Sequence, residues 1–75
     1  MKALMYSKSN CTYCKSAAQL LVTKGIQFDK VMVDEGDNLK ELLARVPTAK
    51  TVPQIFIDDI YIGGLTQLKE YLNTV

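Results

Sequence analysis

The change of hydrophobic period over residues 1–33 constrains the fold more than any other feature of this chain. Ala3-Leu4-Met5-Tyr6 is a short apolar run that reads as a buried strand, and Ser7 to Asn10 is a polar loop. From about Thr12 the pattern turns helical, with Ala17, Leu20, Leu21 and Lys24 at i, i+3, i+4 and i+7 and Gly25 as the stop. Ile26-Gln27-Phe28 and Val31-Met32-Val33 then supply a second strand. A strand, a helix and a strand in that order imply a parallel pair joined by a right-handed crossover.

The rest of the chain extends this unit. Asp34-Glu35-Gly36-Asp37 reads as a turn, with Asp37 as a helix cap. Leu39, Leu42, Leu43 and Val46 repeat the helical spacing, so a second helix is expected over 38–45, ended by Pro47. Gln54-Ile55-Phe56-Ile57 and Ile60-Tyr61-Ile62 flank Asp58-Asp59, a two-residue hairpin turn. After Gly63-Gly64, Leu65, Leu68, Tyr71 and Leu72 line a last helix, capped by Thr66 or the residue before it. The order is β-α-β-α-β-β-α, an α/β class with a four-stranded mixed sheet flanked by three helices. Neither a linker nor a repeat divides the sequence, so residues 1–75 read as one domain. A chain of this mass folds to roughly 4,600 Å² of surface, enough for one small core and too little for a Rossmann domain or a (β/α)8 barrel.

Charge and composition remove several function classes. Nine Lys+Arg against eight Asp+Glu leave a net charge of +1, which gives no electrostatic footprint for nucleic acid. No apolar run approaches the roughly 18 residues needed to span a bilayer, and the N-terminus lacks the pattern of a secretory signal, so a cytoplasmic location is expected. Histidine is absent, which removes histidine triads, histidine general bases and imidazole metal sites.

Two cysteines remain, Cys11 and Cys14, spaced C-x-x-C at the head of the first helix. A loop that short constrains the unfolded state little, so the pair is a poor structural staple. Residues i and i+3 of a helix share a face, so the two sulfurs can join with little backbone movement. Cys11 meets the unpaired N–H groups of the helix start, worth about half a positive charge, and Lys8 can add a whole one. Both favour thiolate. A free cysteine titrates near pH 8.5, whereas C-x-x-C pairs and helix N-termini bring it to roughly 3.5–7.5. The same stabilisation makes Cys11 a good leaving group. Cys11 is therefore assigned as nucleophile and Cys14 as resolving thiol. The competing readings are half of a zinc site, for which two further ligands are lacking, and two inert buried cysteines. Beside a β-α-β unit, C-x-x-C is the sign of a thioredoxin-like redox motif.

Two other loops carry weaker signals. Standing alone, Pro53 in Thr51-Val52-Pro53 reads as a trans turn proline at a strand's first residue. Gly63-Gly64 reads as a plain turn, although the N–H groups of Leu65 and Thr66 behind it are free to hold an anion.

Taken together, these segments resemble the glutaredoxins over nearly the whole chain. Lys8-Ser9-Asn10-Cys11-Thr12-Tyr13-Cys14 is similar to the family's K-x-x-C-x-Y-C segment, Thr51-Val52-Pro53-Gln54-Ile55-Phe56-Ile57 to its T-V-P-x-[IV]-F-I, and Ile62-Gly63-Gly64 to its I-G-G turn. The resemblance, closest to the short dithiol type of bacteria or phages, implies a thioredoxin-like fold and a monomer that uses glutathione as reductant. It implies a cis Pro53 that turns the Val52 backbone, in the Thr51-Val52-Pro53 segment, toward Cys11 and the cysteinyl part of glutathione. Lys8 and Lys50 would meet the glycyl carboxylate, and Tyr13 would pack beside the bound thiol. The N–H groups of Leu65 and Thr66, behind Gly64, would take the γ-glutamyl carboxylate. Thr12 stands where proline is commoner, Pro47-Thr48 where many members have a glycine turn, and no acidic residue follows Gly64 to meet glutathione's amine.

The expected activity is reduction of protein disulfides and protein–glutathione mixed disulfides by the Cys11/Cys14 dithiol, with no metal. Ribonucleotide reductase is a substrate that the resemblance suggests. Two alternatives stay open. One is a [2Fe–2S] carrier, with Cys11 of two copies and two glutathione thiols as ligands. The other is a glutaredoxin-like electron donor reduced by a thioredoxin-type reductase.

Overall fold

The computed structural model describes residues 1–74. Its elements are β1 (Lys2–Ser7), α1 (Thr12–Thr23), β2 (Gln27–Met32), α2 (Asn38–Arg45), β3 (Gln54–Ile57), β4 (Ile60–Gly63) and α3 (Leu65–Thr74). The sheet order is β2-β1-β3-β4, with β1 parallel to β2 and antiparallel to β3, and β3 antiparallel to β4. This is the mixed sheet with three helices that the element order predicts. The surface is 4885 Å².

Strand alternation divides the core between the two faces of the sheet. Ala3, Met5, Ile55 and Ile57 point to one face and are covered by Ala17 and Leu21 of α1 and Leu68 and Leu72 of α3. Tyr6 and Phe56 point to the other and are covered by α2 through Leu42, with Val46 just beyond it. The rings of Tyr6 and Phe56 meet edge to face at 6.1 Å between centroids, and the Arg45 guanidinium lies 3.9 Å from the Phe56 ring centre. The cation–π contact explains how α2 ends in a charge yet stays against the sheet.

Local expectations are met unevenly. Asp58 and Asp59 adopt φ of 51° and 67°, the left-handed pair that a two-residue hairpin needs and that aspartate tolerates. The second strand runs unbroken from Gln27 to Met32, and Lys24 lies past α1 as its exposed C-cap. Asp37 precedes α2 but makes no side-chain cap bond. For α3, Thr66 and Leu65 are both inside the helix. Gly64 takes the capping position, its carbonyl accepting from Leu68 N–H and its N–H donating to Gln67 Oε1 at 3.0 Å. That is the return half of a capping box, with no side chain needed on the first residue. Leu42 of α2 and Val46, its C-cap, are buried, whereas Leu39 and Leu43 stay 48% and 38% exposed.

Candidate active site

Strand register brings four sequence-distant segments to one end of the sheet. Tyr6 near the end of β1 pairs with Gln54 at the start of β3, and Ile55 pairs with Gly63 at the end of β4. Ser7 pairs with Met32 at the end of parallel β2. The loops around Cys11, Pro53, Gly64 and Asp34 therefore share one rim. Asn10, at φ 60°, reverses the chain from β1 into α1.

Cys11 is the N-cap of α1 in extended conformation, and its sulfur accepts the Cys14 N–H at 3.2 Å. The side chain thus takes the place of a capping oxygen, which directs the helix's positive end at Sγ. Cys11 and Cys14 form a disulfide with Cα atoms 5.2 Å apart. Cys11 is 8% exposed and Cys14 3%, so Cys11 is the less buried of the pair. The Val52–Pro53 peptide bond is cis, the form the resemblance implies, and the Val52 carbonyl oxygen lies 3.7 Å from Cys11 Sγ.

Most of the expected binding residues gather in one place. Tyr13, Thr51, Val52, Pro53, Gly64, Leu65 and Thr66 line a groove of about 380 Å³, joined by Gln67 and Lys69. Tyr13 is 68% exposed at its rim. Lys8 and Lys50 are not in this groove. They line a second one, of about 300 Å³, that shares Thr51 and Val52 with the first. Lys8 also lines, with Cys11 and Cys14 themselves and with Lys15 and Lys30, a cleft of about 340 Å³.

Several supporting residues were missed in the sequence. The buried Gln54 donates through Nε2 to the Thr51 carbonyl at 2.9 Å, and its Oε1 accepts from the Tyr61 hydroxyl, which fixes the loop before the cis bond. A glutamine heading a strand signals a polar task only once its burial is known. Gln67 holds the Gly64 turn, and a Cβ at Gly64 would stand 3.4 Å from the Pro53 carbonyl oxygen, so the two loops are in close contact. Ahead of Cys11, Asp34 Oδ2 accepts the Ser9 N–H at 3.3 Å. The Ser9 hydroxyl, first, and then its N–H hold the Asp34 carboxyl below its ordinary value, with a lesser pull from Lys8.

Known proteins resemble this chain in sequence and in fold. A family model described as Glutaredoxin matches residues 3–62. Glutaredoxin 3 of Escherichia coli is 39% identical over 64 residues, which cover 85% of this chain and 77% of that protein. A crystal structure of glutaredoxin 1 from Francisella tularensis, complexed with cacodylate, superposes with a TM-score of 0.82 at 32% identity, over 97% of this chain and 93% of that one. A buckwheat glutaredoxin–glutathione complex superposes with a TM-score of 0.82 at 25% identity, over 96% and 68%.

Proposed function

Since this chain belongs to the glutaredoxin family and carries its redox-active cysteine pair, we propose that its thiol–disulfide oxidoreductase activity is glutathione-dependent, with Cys11 as nucleophile. The carrying observation is the Cys11 sulfur at the head of α1, accepting the Cys14 N–H and lying 3.7 Å from the carbonyl oxygen of Val52, which lines the groove.

The Cys11 thiolate attacks one sulfur of a substrate disulfide, forms a mixed disulfide and expels the other sulfur as a thiolate. Cys14 loses its proton to that leaving thiolate and attacks Cys11 Sγ. The second substrate thiolate leaves, and the Cys11–Cys14 disulfide remains. Two electrons have passed to the substrate. Two glutathione thiols return them, giving glutathione disulfide and the free dithiol. With a protein–glutathione mixed disulfide, Cys11 takes the glutathionyl group and a second glutathione alone can release it.

Glutathione lies across both grooves in this reading. Its cysteinyl part pairs with the Val52 backbone beside Tyr13. Its γ-glutamyl carboxylate meets the N–H groups of Leu65 and Thr66, and its glycyl carboxylate meets Lys8 and Lys50. The Leu65/Thr66 site suits an anion because helix N-termini carry partial positive charge, and the two lysines suit one by their own charge. Among the described residues no acidic side chain lines either groove, so glutathione's amine has no carboxylate partner there. That observation favours a second reading, reduction by a thioredoxin-type reductase.

A coupled assay decides between them. Glutathione with its reductase should sustain turnover, and a thioredoxin-type reductase alone should not; the reverse pattern would overturn the glutathione reading. In the same assay Cys11→Ser should abolish all turnover. Cys14→Ser should keep deglutathionylation and lose reduction of protein disulfides, and equal loss from both variants would contradict the assigned roles.

A further inference from the structure

The groove that holds Lys8 and Lys50 has more to offer than a carboxylate site. Apart from the two lysines and Thr51 its wall is apolar, made by Val33, Ala49, Val52 and the leucines of α2. Leu39 and Leu43, one helical turn apart, stand 48% and 38% exposed and do not take part in the core. Large apolar side chains left together on a small surface mark a contact site more often than single ones do. The groove shares Thr51 and Val52 with the groove lined by Tyr13 and Pro53, and the Val52 carbonyl oxygen lies 3.7 Å from Cys11 Sγ. A chain bonded to Cys11 through its own cysteine and passing Val52 therefore comes to a groove that offers both two ammonium groups and two leucines.

We propose that this groove docks the polypeptide of a protein substrate on the side that follows its reacting cysteine. Lys8 and Lys50 read an acidic side chain, and Leu39 and Leu43 receive a large apolar one. The proposal rests on the thiol–disulfide reading above and on its placement of glutathione's glycine, the residue after the cysteine, at the lysines. A tripeptide ends there and has no side chain for the leucines, so the apolar wall selects longer chains. Charge complementarity supports the acidic choice, since among the described residues no carboxylate lines the groove. The acidic residue nearest Lys8 by its effect, Asp34, is engaged with Ser9.

The test is a single-turnover measurement on the full chain, reduced beforehand, so that no outside reductant enters. The probes are symmetric disulfide dimers of two octapeptides, one with glutamate and leucine after its cysteine and one with serines in their place. One peptide disulfide and one reduced protein give two peptide thiols and the Cys11–Cys14 disulfide. The acidic–apolar peptide should react roughly 10-fold faster, the ratio that burying one leucine supplies. In Leu39→Ser/Leu43→Ser that ratio should fall several-fold, to what Lys8 and Lys50 supply through the glutamate, while bis(2-hydroxyethyl) disulfide reacts with both proteins at similar rates. Equal rates for the two peptides with the unaltered chain would overturn the docking proposal, as would a double variant that keeps the preference. An unaltered chain that reacts with neither peptide nor the small disulfide would overturn the oxidoreductase reading, and this proposal with it.

Discussion

Asp34 lies outside the C-x-x-C segment yet holds the loop that enters it. Its carboxylate accepts from the Ser9 hydroxyl and N–H, and both bonds favour the ionised form. The carboxyl therefore titrates below its ordinary value in the folded protein. A lowered carboxyl stabilises the fold above the unfolded value and loses that contribution as pH falls through the folded one. The tether is fully present at neutral pH and is released only in acid. Carbon-detected NMR titration should place the Asp34 midpoint below that of Asp34 in Ser9→Ala; identical midpoints would contradict the assignment. Gly63 gives a second test at this scale. Its φ is 121°, and a Cβ there would come within 3.0 Å of Gln67 Cγ. Gly63→Ala should destabilise the protein by about 1 kcal/mol or more in urea unfolding, and an unchanged midpoint would show that the turn relaxes freely.

Among the elements, α2 shows what periodicity reveals and what it conceals. Leu39, Leu42, Leu43 and Val46 announce a helix and its apolar side correctly. They do not say how much of that side is covered. Two helices share one face of the sheet, but α2 stands alone on the other, so only the arc through Leu42 and Val46 meets strand side chains. Leu42→Ala should lose about 2–5 kcal/mol of stability, as deletion of a buried leucine does. Leu39→Ala should stay within about 0.5 kcal/mol. Similar losses for both would mean that α2 is buried on a broader face. The Asp58-Asp59 hairpin was legible because the turn chemistry is local. The α3 cap was not, because glycine offers no capping oxygen and the partner is Gln67 one turn later. The cis bond at Pro53 follows from the family likeness and not from spacing, since a lone X-Pro step favours trans.

On the scale of the molecule, sheet order turns scattered motifs into a site. The antiparallel pairing of β1 with β3 and of β3 with β4 puts the end of one strand beside the start of the next. Cys11, Val52 and Gly64 become neighbours by that geometry, which the linear sequence does not state. The sequence did contain most members of the groove, because each sits in a segment with a recognisable pattern. It separated neither Lys8 and Lys50 from the others nor Gln54 and Gln67 from ordinary polar residues, since groove membership is a property of packing. All these elements converge on the Cys11 sulfur at the start of α1, which we propose is held as a thiolate once the disulfide is reduced. The most direct test is the pH dependence of iodoacetamide alkylation of Cys11 in the reduced protein, read by mass spectrometry. The rate should level off with a midpoint below about pH 7.5, as thiols at helix N-termini do. A midpoint near 8.5, the value of a free cysteine, would contradict the account.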